Sequence, residues 1–95
     1  MDKLPKIVVV FRFNGDQEQL EAALSSFAET QRISIETTLG AAVDLKAKIV
    51  RRSNGIYEFY PKFASTRQPT DPAVFSANLR SLSETQIVTL GGTIL

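Results

Sequence analysis

The run Lys46-Ala47-Lys48-Ile49-Val50-Arg51-Arg52-Ser53-Asn54-Gly55-Ile56-Tyr57-Glu58-Phe59-Tyr60 decides how this chain is read. Asn-Gly between two strand-like runs is the strongest short-range signal for a β-hairpin, because the tight mirror-image turn needs positive φ at both central positions. Ahead of it Ala41, Val43, Leu45, Ala47 and Ile49 fall on odd numbers, the period of a strand. A helix over residues 41–52 is the competing reading. Ala, Leu and Lys favour one, and Asn54-Gly55 would cap its end. The hairpin is preferred because Ile56, Tyr57, Phe59 and Tyr60 on the far side of the turn are β-branched or aromatic, as strands prefer.

Working back from the hairpin, Ile33, Ile35, Thr37 and Leu39 continue the alternation, which predicts strand there and a break around residues 40–42,. Before that, Asp16 is an N-cap with Gln19 at the capping-box spacing, and Leu20, Ala23, Leu24, Phe27 and Ala28 make an amphipathic helix to about Gln31,. Residues 6–13 form the first strand. Ile7, Val9, Phe11 and Phe13 lie on one face, Val8, Val10 and Arg12 on the other, and apolar groups on both faces mark a central strand.

Working forward, Pro61, Pro69 and Pro72 bound a loop. Asp71 or Thr70 then caps a second helix with Pro72 at its first position, and Phe75, Leu79 and Leu82 carry its apolar stripe to about Glu84,. A last strand is expected over Ile87 to Leu90, with Gly91-Gly92 as a bulge or fraying end. The order β-α-β-β-(β)-α-β predicts a single α+β domain over residues 1–95, of the ferredoxin-like, split βαβ kind. Its antiparallel sheet carries two helices on one face and an extended middle hairpin.

Composition narrows function. In 95 residues there is no cysteine, histidine or tryptophan, which excludes thiolate nucleophiles, Cys/His zinc sites, disulfides and imidazole acid–base chemistry. No nucleophile has a neighbouring base, so the chain is read as a non-enzyme without cofactor or metal. Asp16, Glu18 and Glu21 cluster at a helix start, where acids serve the dipole anyway. The apolar run from Ile7 to Phe11 is too short for a secretory or membrane segment, and Met1 to Lys6 reads as a cytosolic start with no membrane partner,.

Net charge is +1, but it is unevenly spread. Residues 14–36 hold five acids against Arg32 alone, and residues 44–67 hold six bases against Asp44 and Glu58. The helix-free sheet face is the expected binding surface, with Phe11 and Phe13 of the first strand and the hairpin residues Lys46, Lys48, Arg51, Arg52, Tyr57 and Phe59 as its candidates. Exposed apolar surface there points to a small cytoplasmic interaction or regulatory module, expected as a homodimer or docked on a protein partner. The alternative is a single-stranded nucleic-acid-binding domain, with Lys46, Lys48, Arg51 and Arg52 on phosphates and Tyr57 or Phe59 stacking on bases. The glycine-aromatic signature of RNA-recognition sheets is not matched.

Overall fold

Two residues separate the strands of the hairpin: β2 (Val43–Ser53) ends before Asn54 and β3 (Ile56–Ser65) begins after Gly55. In the computed structural model, which describes residues 6–95, they join β1 (Val9–Arg12), α1 (Gln17–Leu39), α2 (Pro72–Thr89) and β4 (Thr93–Ile94). The start Met1 to Pro5 lies outside the described residues. The architecture is α+β: an antiparallel sheet in the order β2-β3-β1-β4, with two helices.

The turn differs from the mirror-image type. Gly55 has φ +80, but among the described residues none other than glycine has positive φ, so Asn54 does not meet the type I′ requirement. One positive φ, at Gly55, is shared by a type II turn and by a type I turn closed by a left-handed bulge residue,. A register shift between Arg51 and Ser53 accompanies it, and such a bulge absorbs the twist mismatch of an unprimed turn.

Residues 33–39 correct the expected strand. They are the last two turns of α1, which is 23 residues long. Ile35 and Leu39 pack against the core and continue the stripe of Leu20, Leu24 and Ala28, while Ile33 stays exposed. The odd-numbered alternation thus concealed an i, i+4 pair. Gly40 ends the helix at φ 67, its N–H bonding Glu36 O, and the Arg67 guanidinium caps the Leu39 carbonyl at 2.9 Å,.

The last strand is corrected in the same way. Residues 87–89 are helical, and the returning strand that pairs with β1 is Thr93–Ile94, with Leu95 N–H bonding Val10 O at 2.9 Å. Gly91 N–H bonds Val88 O and Gly92 N–H bonds Ile87 O, the paired bonds of a Schellman stop, with Gly91 at φ 97,. A Cβ on Gly92 would lie 2.6 Å from Ile87 Cγ2, so the diglycine is a helix terminator.

One sheet face makes the core. Val9, Phe11, Tyr57, Phe59 and Leu45 are buried with Leu20, Leu24 and Ala28 of α1 and Leu79 and Ile87 of α2. Phe27 meets Phe59 edge-on and Phe63 meets Phe75 at 4.9 Å, so each helix contributes a ring to that face.

Candidate basic sheet face

Register decides which side chains share the other face. Val10 lies opposite Glu58 and Arg12 opposite Ile56. Lys46 lies opposite Lys62, Lys48 opposite Tyr60 and Val50 opposite Glu58. Side chains alternate along strands, so these share the side away from Phe11, Tyr57 and Phe59. Val10, Val50, Ile56 and Tyr60 there are half-buried, and Lys46, Lys48 and Lys62 are exposed.

A polar cluster occupies the middle of this face. Arg52 Nε donates to Glu58 Oε1 at 2.7 Å, and Tyr60 Oη donates to the same oxygen at 2.8 Å. The hydroxyl and the guanidinium both favour the ionised carboxylate, so the Glu58 pKa is held below its usual range,. The same hydrogen bond, with burial and the nearby carboxylate charge, raises the Tyr60 pKa. Lys6 Nζ lies 5.0 Å and Lys48 Nζ 5.8 Å from the centre of the Tyr60 ring, within cation–π range. Asp44 pairs loosely with Lys46 at 3.6 Å. The face therefore presents Lys6, Arg12, Lys46, Lys48, Arg52 and Lys62 against Asp44 and Glu58.

The sequence-derived candidates divide sharply. Lys46, Lys48 and Arg52 come together on this face. Arg51, opposite Tyr57, belongs to the other side chain set and is exposed near the turn, bonding Asn54 Oδ1 at 3.2 Å. Phe11 (0% exposed), Tyr57 (4%) and Phe59 (1%) are core residues, and Phe13 is half-buried with its ring edge-on to Tyr57. These four aromatics are corrected from the open face to the helix side, because burying large rings between sheet and helices outweighs leaving them in water. Lys6 was missed, and Tyr60 is legible in the sequence only as an aromatic interleaved with the basic stretch. The parity that separates Tyr60 from Tyr57 and Phe59 is visible in sequence, but which set faces the helices is not.

Among the described residues no group of three or more carboxylates could hold a metal ion, and no helix is long and apolar enough to cross a membrane. A groove of about 490 Å3 between α1 and α2, lined by Phe27, Thr30, Leu82, Gln86 and neighbours, carries no charged side chain. No family model, curated protein or solved structure matches this chain.

Proposed function

We propose that this chain is a non-catalytic interaction module of the ferredoxin-like, split βαβ kind, which docks an acidic protein partner on the open face of its sheet. Support for the fold reading is the strand order, with β3 inserted between β1 and β2, the two strands that α1 connects,. The observation that carries the function is the surplus of six bases over two acids around half-buried Val8, Val10, Val50 and Ile56. An apolar centre with a charged rim is the anatomy of a protein interface, and the charge selects the partner. A symmetric dimer through this face would set the same six bases against each other, so charge favours a different, acidic chain over a second copy.

Tyr60 between Lys6 and Lys48 favours a second reading, single-stranded nucleic acid, with this ring rather than Tyr57 or Phe59 as the stacking platform,. Titration of the labelled protein with poly-glutamate and, separately, with oligo-dT separates the two. Under the first reading poly-glutamate moves the amide resonances of Val10, Val50, Glu58 and Tyr60, and Lys46→Glu/Lys48→Glu abolishes the effect. A dominant response to oligo-dT, with a log–log salt slope of about −0.7 per phosphate contact, establishes the second. No response to either at physiological salt defeats both.

A further inference from the structure

We infer that the acidic partner is an extended segment that adds to the sheet as a fifth strand along β2. This rests on the docking reading above and specifies its geometry. β2 is 11 residues long and lies at the end of the sheet. One of its sides is paired with β3 from Val43 to Ser53, and no strand lies along the other among the described residues. Apart from the Val43 N–H, which the Glu36 carboxylate takes at 3.0 Å, an edge of that length presents a row of backbone donors and acceptors that a further strand satisfies.

The side chains of β2 specify what the added strand must carry. Lys46 and Lys48 project from the open face and are exposed, while Leu45, Ala47 and Ile49 alternate with them towards the helices, Leu45 buried and the other two half-buried. Directly opposed side chains on neighbouring strands lie ~5 Å apart, where opposite charges attract and like charges repel. The matching segment therefore alternates acidic and apolar residues, its acids beside Lys46 and Lys48 and its apolar residues extending the row of Ala47 and Ile49. The lysines also disfavour self-pairing: β2 is centred on Lys48, so antiparallel pairing with a second copy over its full length sets Lys48 against Lys48. Lysines on edges block aggregation in general, and here the same charge admits an acidic strand.

Three synthetic heptapeptides test this on the full chain: alternating Val-Glu, its analogue methylated at every backbone nitrogen, and alternating Val-Lys. The alternating Val-Glu peptide is expected to slow amide exchange at alternate residues of β2, and backbone methylation to weaken its binding tenfold or more. Lys46→Glu/Lys48→Glu is expected to switch preference to the Val-Lys peptide. Equal binding of the methylated peptide, with shifts on the open face and none in β2 exchange, overturns strand addition and leaves face docking intact. Absence of binding by the Val-Glu peptide, together with no response of the open face to poly-glutamate, overturns both.

Discussion

Glu36, one turn from the end of α1, reaches forward to accept the backbone N–H of Val43, the first residue of β2, at 3.0 Å. The same oxygen accepts from Arg32 Nη1 at 2.7 Å, and Arg32 also pairs with Glu29. The chain reverses at Gly40 between these partners, so the carboxylate fastens the helix end to the edge strand across the turn. Val43 N–H and then Arg32 hold the Glu36 pKa below its usual range,.

A carboxylate with a lowered folded-state pKa contributes stability that is present above its unfolded pKa and lost as pH falls through the folded one. Denaturation midpoints measured from pH 7 down to pH 3 should therefore fall on acidification. Glu36→Gln, which keeps an acceptor but not the charge, should be less stable near neutrality and show a shallower fall. Identical pH profiles for the two proteins would show that the contact contributes nothing to folding.

Gly55 holds φ +80 and Asn54 has no positive φ. Gly55→Val should cost about 1 kcal/mol or more, and a stabilised variant would contradict the turn. Asn54→Ala should stay within about 0.5 kcal/mol, as at an ordinary surface site. Urea unfolding of both variants checks the pair, since a type I′ turn would penalise both.

Burial separates the two aromatic sets. Phe59→Ala should cost about 3–5 kcal/mol, the scale of a large ring lost from a core, and so reports folding rather than ligand binding. Tyr60→Ala should leave a cooperative transition close to that of the parent and is the variant suited to binding assays. Thermal melts of the two, compared side by side, test the assignment of the faces.

The Schellman stop makes a further demand. A Cβ at Gly92 meets Ile87 Cγ2 at 2.6 Å and the Ile87 carbonyl oxygen at 3.0 Å, and Ile87 is fully buried. Gly92→Ala should destabilise by about 1–3 kcal/mol, the range for overpacking a core. Calorimetry showing no loss would mean that the helix does not stop there as described.

Local chemistry was legible in the sequence alone. Asp16 accepts from Glu18 N–H and Asp71 from Val74 N–H at the helix starts, and Asn54-Gly55 turns the hairpin. Each of these is signalled by residues within four positions of one another. Ile33, Ile35, Thr37 and Leu39 show where local reading fails. Ile33, Ile35 and Thr37 are β-branched and the alternation fits a strand, but the helix cost of such residues is only a few tenths of a kcal/mol each. Packing Ile35 and Leu39 against the core offsets that cost, and packing exists only once the sheet is assembled. The faces of β1 and β3 were decided in the same way. Val8 and Val10 oppose Val9 and Phe11 by parity, but only the docking of Phe27 on Phe59 and of Phe75 on Phe63 determines which set is buried and which is left on the open face.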